Sequence, residues 1–275
     1  MKNDHLDPEF IRQLENCEMA VFEDFFRAAP RTLAAEYHIR VQRLGGALVT
    51  IAAKADVLAL NRVVGAGLNR PADENLIDQI IDLFREQGVA RFFVPLSPTA
   101  APSALRGWLL ARGFTHHNNW VRLHRPIEPL PQHKFPWLVR KISTRESLDF
   151  GRLVAQSFGW PDFIGTLAAT TVGRKNWRHY MVYDGRQPVG AGAFFIYGEF
   201  AWFGFAATTE TYRGRGIQQA LLAHRFHEAQ KSGCLWVVVE TAQKTPEKMA
   251  PSYRNILRFG FTEDYLRPNF LLQVK

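Results

Sequence analysis

Arg213-Gly214-Arg215-Gly216 is where the types and spacing of residues most directly suggest chemistry. Two arginines supply full positive charges, and two glycines let a ligand approach the backbone closely. An amphipathic helix pattern opens at Ile217 and continues through Leu221, Leu222, Phe226 and Ala229. The free N–H groups and the positive dipole end of that helix would therefore face the same point. This combination suits a phosphate or pyrophosphate. The four residues alone are equally compatible with a glycine turn carrying solvated arginines. A dinucleotide fingerprint does not fit. Gln219 stands where G-x-G-x-x-G needs its third glycine, and Thr208 to Tyr212 separate the loop from the preceding strand. The pairs Gly65/Gly67 and Gly190/Gly192 lack a third glycine as well.

The elements that position this loop follow from the patterning. Ala201 to Ala207 is nearly all apolar, as in a strand buried on both faces. Val189 to Ile196 and Tyr180 to Tyr183 precede it as a hairpin turning at Asp184-Gly185. After the loop helix, Leu235 to Glu240 reads as a buried parallel strand, and Ser252 to Phe259 as a short helix before strand-like residues from Phe261. Upstream, Leu138 to Ile142 reads as a strand. Thr144 caps a helix through Phe158, and Pro161 opens another through Val172. The first half shows helix at Asp7 to Ala29, with Asp7 as N-cap and Pro8 at the first helical position. Strands follow at 38–53 and 57–64, a helix at 75–87, a strand at 90–96, a helix at 104–111 and a strand at 120–123.

At 275 residues, one large domain or two ordinary ones are equally expected. The net charge of +8 favours anionic ligands or surfaces. No run of five basic residues exists, which argues against a nucleic-acid tail. Two cysteines, Cys17 and Cys234, make no disulfide framework and point to a reducing compartment. The N-terminal MKNDHLDPEF has no apolar core, and the apolar region 189–207 is broken at Tyr197-Gly198-Glu199, so a cytoplasmic protein without membrane partners is expected. His224 and His227 lack a third ligand, His116-His117 read as a solvated turn, and no metal is expected. Arg225, on the apolar side of its helix, reads as an ion pair or a snorkelling stem.

An internal repeat organises the chain. Leu110-Ala-Arg-Gly-Phe-Thr115 resembles Leu257-Arg-Phe-Gly-Phe-Thr262, and helix-Gly88-strand resembles helix-Gly233-strand at nearly the same offset. Pro126, Pro129, Pro131 and Pro136 mark a linker between the copies. The expected domains are 1–125 and 137–275, joined by residues 126–136. The first copy carries Leu68-Asn69-Arg70-Pro71 where the second carries its loop, and Pro71 has no N–H to offer a phosphate.

R-G-R-G-I-Q resembles the acyl-CoA loop of the GNAT N-acyltransferase superfamily, Q/R-x-x-G-x-G/A. Arg213 and Gly216 match, and Gln218 departs from the usual Gly or Ala. The resemblance extends from about Leu138 to the C-terminus and rests on element order and spacing together. It implies an α/β fold with a mixed sheet, here as two tandem GNAT-like domains of which the first is degenerate. It implies acetyl-CoA as acyl donor and a primary amine of a small molecule or peptide as acceptor. A homodimer is compatible with it, and no nucleic acid is expected as partner.

The resemblance also implies a site. Arg213, Gly214, Arg215, Gly216, Ile217 and Gln218 would hold the pyrophosphate, and backbone N–H groups of Ala206, Ala207 and Thr208 would hold the thioester carbonyl. The amine must lose a proton, and Glu240, at the end of a valine run, is the first candidate base. Asp162, Glu199 and Glu263 are alternatives, and Arg215 or Lys248 could instead pair with Glu240. The family's acidic tyrosine position holds Ile256; Tyr253, one turn earlier, is the candidate acid. Ser252 and Asn255 resemble an S-x-x-N pattern that contacts CoA or donates through water, and unassisted departure of the thiolate is equally open. Trp160, Phe163, Trp177 and Trp202 fall near the acceptor side. A non-catalytic acyl-CoA-binding regulator is the reading from another class.

Overall fold

The computed structural model describes residues 7–132, 135–243 and 251–274, without the side chains of Pro251 and Ser252. The chain divides into two compact units of α/β character. The first comprises Met1–Arg122, Glu240–Thr245 and Asp264–Lys275, the second Leu123–Val239 and Pro246–Glu263. The boundaries read from the sequence are contiguous; the units are not, because the C-terminal strand pairs within the first unit.

The first unit opens with α1 (Pro8–Arg27), where the Asp7 side chain accepts from the Glu9 N–H and Pro8 needs no partner. α2 (Arg31–Tyr37) follows, then β1 (Ile39–Leu44), β2 (Ala47–Ala52) and β3 (Arg62–Val64). The continuous strand expected at 38–53 is a hairpin. Gly45 and Gly46 both take positive φ and turn the chain, which residues with a Cβ rarely do. Residues 57–61 form a turn rather than part of a strand. α3 (Glu74–Glu86), β4 (Arg91–Pro95), α4 (Leu105–Ala111) and β5 (Thr115–Pro126) complete the run. His116 and His117 lie on β5, not in a turn. The last strand, β11 (Thr262–Gln273), pairs antiparallel with β4 from Asn269↔Pro95 to Gln273↔Arg91. Strands in this unit run β1-β2-β3-β4-β11-β5. Phe84 stacks on Phe92 at 3.8 Å, and Phe114, Val94, Leu109 and Phe270 close the core around them.

In the second unit, β6 (Val139–Lys141) is followed by a capping box. Ser143, not Thr144, is the cap, with Glu146 bonding back to it. α5 (Ser147–Phe158), α6 (Asp162–Ala169), β7 (Trp177–Asp184), β8 (Gln187–Tyr197) and β9 (Phe200–Thr208) follow. Then come α7 (Ile217–Lys231), β10 (Trp236–Ala242) and α8 (Pro251–Arg258). Strand order is β10-β9-β8-β7-β6, antiparallel except for the parallel β9–β10 pair. The apolar face of α7, led by Ile217, Leu221 and Phe226, is fully buried. Among the described residues, no helix is long and apolar enough to cross a membrane.

His179 on β7 is buried between Phe150 and Trp177, and burial pushes its pKa down to about 3. The Thr171 hydroxyl donates to the Ala168 carbonyl, so it accepts from Nε2–H of a neutral His179, at 2.9 Å. An unfolded histidine takes up a proton below about pH 6.5, whereas His179 in the fold does not until about pH 3. Stability therefore falls on acidification across that window, by roughly 1.4 kcal/mol per pH unit. His179→Phe is expected to flatten this slope, measured by chemical denaturation of both proteins at pH 7 and pH 5.

Candidate functional site

β9 and β10 pair in parallel only at Phe200↔Trp236, Ala201↔Val237 and Trp202↔Val238. Beyond Trp202 the β9 edge is released from β10. On its other side β9 pairs with β8, but the register slips: Ala193 faces Gly204, whereas Ala191 faces Ala207. One extra residue on β9 makes a bulge, and Phe205 takes φ +51° within it. Arg225 of α7 sits over this bulge. Its Nη1 donates to the carbonyls of Ala193 (3.0 Å) and Gly204 (3.3 Å), and its Nε to Leu221 (3.1 Å). The guanidinium is buried, stacks 4.6 Å over Phe203, and burial pushes its pKa down to about 9. Gly192 leaves room for it, since a Cβ there would lie 3.2 Å from Cζ. Among the described residues Arg225 has no ion pair, and it does not snorkel: it donates to carbonyls that flank the bulge.

β9 ends in a short 3-10 turn, Glu210–Tyr212, before the loop. Gly214 (φ +79°) and Gly216 (φ +82°) hold left-handed conformations, and Gly216 caps α7 without any side-chain bond. Nothing lies within 4 Å of a Cβ built on Gly214. The glycines are therefore required by backbone conformation and leave open space beside the helix N-terminus. Trp137 Nε1 donates to the Arg215 carbonyl at 2.6 Å and pins the loop. The Arg215 side chain lies 4.7 Å over the ring of Tyr212, whose hydroxyl donates to Asp184 at 2.7 Å.

A cavity of about 670 Å³ lies here. Ala206, Ala207, Thr208, Arg213, Gly214, Gly216, Ile217, Gln218 and Asn255 line it, all of them expected from the sequence. Arg215 does not, being stacked on Tyr212. The side chain of Ser252 lies outside the described residues, as does Lys248. Gln218, the departure from the loop pattern, accepts from Asn255 Nδ2 at 2.6 Å and ties the loop helix to α8. Sequence reasoning missed Ser157, Phe158, Tyr212, Gln219, Arg254 and Arg258 in the lining. Of the aromatics, Phe163, Trp177 and Trp202 are core residues. Trp160 stacks on the half-exposed Phe158 at 4.6 Å.

The two proton-transfer candidates are both engaged. The Tyr253 hydroxyl donates to Glu263. Glu240 groups with the first unit, where its Oε2 accepts from Arg122 (3.0 Å) and Arg267 (2.8 Å). Burial, reinforced by the nearby Glu18 charge, raises its pKa against the pull of Arg267 and Arg122. The pairing expected for it as an alternative is therefore present, but with these two arginines rather than Arg215. Asp162 opens α6 and Glu199 sits exposed in the β8–β9 turn. No group of three His, Cys, Asp or Glu suited to a metal occurs among the described residues.

In the first unit, the segment 65–72 is closely packed. The Ala101 N–H donates to the Gly67 carbonyl at 2.9 Å, and Ala72 donates to the Ala101 carbonyl at 2.8 Å. Met19 Sδ would lie 2.3 Å from a Cβ on Gly65. Leu68 and Ala66 are buried.

Residues 149–250 match the acetyltransferase (GNAT) family. No curated protein matches the chain. Among solved structures, a GCN5-related N-acetyltransferase from Kribbella flavida is 15% identical, with 87% of this chain and 93% of that one covered and a TM-score of 0.61. One from Sphaerobacter thermophilus is 17% identical over 83% of this chain and 81% of its own, with a TM-score of 0.59. A tandem GNAT protein from the clavulanic acid biosynthesis pathway is 13% identical over 98% and 96%, with a TM-score of 0.58. At such identities the likeness is one of fold, and the last of them supports a two-domain architecture. The chain carries an acetyltransferase domain of the GNAT family at residues 149–250.

Proposed function

We propose that the protein moves an acetyl group from acetyl-CoA directly to a primary amine of a small molecule or peptide. The observation that carries this reading is one cavity lined by both the anion-binding loop and the released end of β9. The pyrophosphate would lie on N–H groups after Arg213. Backbone N–H groups of Ala206 to Thr208 would take the thioester carbonyl as it gains charge. The carbonyl carbon would bond to the amine nitrogen while the C–S bond breaks, releasing the CoA thiolate, and the proton lost by the nitrogen would pass to the thiolate or to solvent. The first unit, with its loop filled and Pro71 at the glycine position, would be the degenerate copy. Acetyl-CoA turnover over an amine panel, read by thiol release, tests the proposal.

We assign Glu240 to the ion-pair cluster rather than to proton transfer, because one of its oxygens already accepts from two guanidinium groups. Glu240→Gln is then expected to lower the melting temperature and leave the pH profile of turnover unaltered. Loss of the acidic limb with unchanged stability would return Glu240 to the role of base. Tyr253→Phe is expected to change turnover less than tenfold, since its proton is committed to Glu263. A larger fall at unaltered CoA affinity would make Tyr253 the acid.

The same two commitments favour a second reading, a non-catalytic acyl-CoA-binding regulator. It predicts CoA binding with no thiol release over any amine.

A further inference from the structure

α8 carries two arginines one turn apart, Arg254 and Arg258, so they share a helix face. Both are exposed, and both line the same cavity as the loop. Neither makes a hydrogen bond or ion pair among the described residues, and Arg213 is in the same condition. Several other surface arginines are engaged, Arg12 with Glu9, Arg91 with Asp56, Arg112 with Asp78 and Arg152 with Asp149, whereas these three converge unpaired on one cavity. Among the described residues, the lining contains three unpaired guanidinium groups and no carboxylate. Three like charges around one cavity repel each other unless an anion enters it.

The loop with Arg213 provides for the pyrophosphate, through helix N–H donors and a single cation. Arg254 and Arg258 belong to another element and supply two further planar forks, the geometry that holds a phosphate monoester through paired hydrogen bonds. CoA carries phosphate at two places: a pyrophosphate diester, and a phosphate monoester at the 3′ position of its ribose. We infer that Arg254 and Arg258 read the 3′-phosphate and make the site selective for CoA over 3′-dephospho-CoA. The inference rests on the acyl-CoA reading above and adds to it the feature of the cofactor that α8 selects.

Calorimetry with CoA and with 3′-dephospho-CoA tests it. The wild-type protein is expected to bind CoA at least about tenfold more tightly. In the Arg254→Ala, Arg258→Ala double variant the gap should close, with 3′-dephospho-CoA affinity within twofold of wild type. That second value also reports that the site is still folded. The wild-type gap should narrow as salt rises, since both side chains are solvent-exposed. Equal affinity of the wild type for the two ligands would overturn the inference while leaving the acyl-CoA reading intact. So would a double variant that weakens both ligands equally, because the arginines would then serve the pyrophosphate. Absence of CoA binding by the wild type would instead remove the acyl-CoA reading, and this inference with it.

Discussion

Arg213→Glu is expected to weaken CoA binding by about a hundredfold or more. Removing a charge-assisted hydrogen bond to a phosphate costs about 1.5–3 kcal/mol, and the introduced carboxylate adds repulsion at the same place. A total of about 3 kcal/mol corresponds to a factor of more than a hundred. The backbone of the loop should survive the change, because its shape depends on Gly214, Gly216 and the Trp137 bond to the Arg215 carbonyl. Arg70→Glu is the matched control. Arg70 stands in the first-unit segment that would be the degenerate loop, where Gly67 and Ala72 bond Ala101 through their backbones and Met19 occupies the space beside Gly65. CoA affinity should be unaffected by it. Titration calorimetry gives both values, together with one site per chain. Two sites, or equal sensitivity to the two substitutions, would contradict the division of labour proposed for the units.

The largest effect on stability is expected at Glu18. Three carboxylates and three guanidinium groups are buried together in the first unit: Glu15 and Glu18 from α1, Arg62 from β3, Arg122 from β5, Glu240 from β10 and Arg267 from β11. Arg267 bonds Glu15 at 2.8 Å and Glu18 through both its Nη atoms, Arg122 lies 3.2 Å from Glu18, and Arg62 3.4 Å from it. Burial resists ionisation of Glu18, but Arg267, Arg122 and Arg62 outweigh it and hold its pKa well below the usual carboxylate range. Glu18→Ala leaves buried cations uncompensated, and such truncations cost about 3–5 kcal/mol. The same sign governs pH. Glu18 contributes its stability above the ordinary carboxylate pKa and loses it progressively as pH falls toward its own depressed value. Denaturation of the Glu18→Ala variant should show the loss at pH 7 and a smaller gap from wild type in acid. The exposed pair Arg12–Glu9 supplies the contrast, and Glu9→Ala should cost under about 1 kcal/mol.

Much of the fold is legible because it is local. Asp7-Pro8 announces a helix start, and an apolar run ending in Gly204 to Thr208 announces a buried strand, without reference to anything distant. The loop is legible for the same reason: its glycines and arginines directly precede the first residue of the helix, Ile217. The hairpin at Gly45-Gly46 was equally readable from its glycine pair, but the apolar residues on both sides made 38–53 look like one strand. What stays hidden is company across long separations. Glu240 and Arg225 can both be recognised as polar residues at apolar positions. Which groups satisfy them cannot, since Arg122 meets Glu240 across 118 residues and Arg225 meets the Ala193 carbonyl across 32. Arg254 and Arg258 carry no motif that marks them in the sequence. Their meaning comes from the cavity they line and from having no acidic partner among the described residues.

The place of β11 bears on how the protein is made. During synthesis β4 and β5 emerge more than a hundred residues before the strand that belongs between them, and the glutamates of α1 emerge before the arginine that neutralises them. The first unit is the first to be translated and cannot be the first to finish folding. A nascent chain stalled before residue 264 would hold an open sheet edge and two buried carboxylates still lacking Arg267. A fragment cut at the proline-rich stretch would be left in the same state permanently, so the half that comes first in sequence is last in assembly.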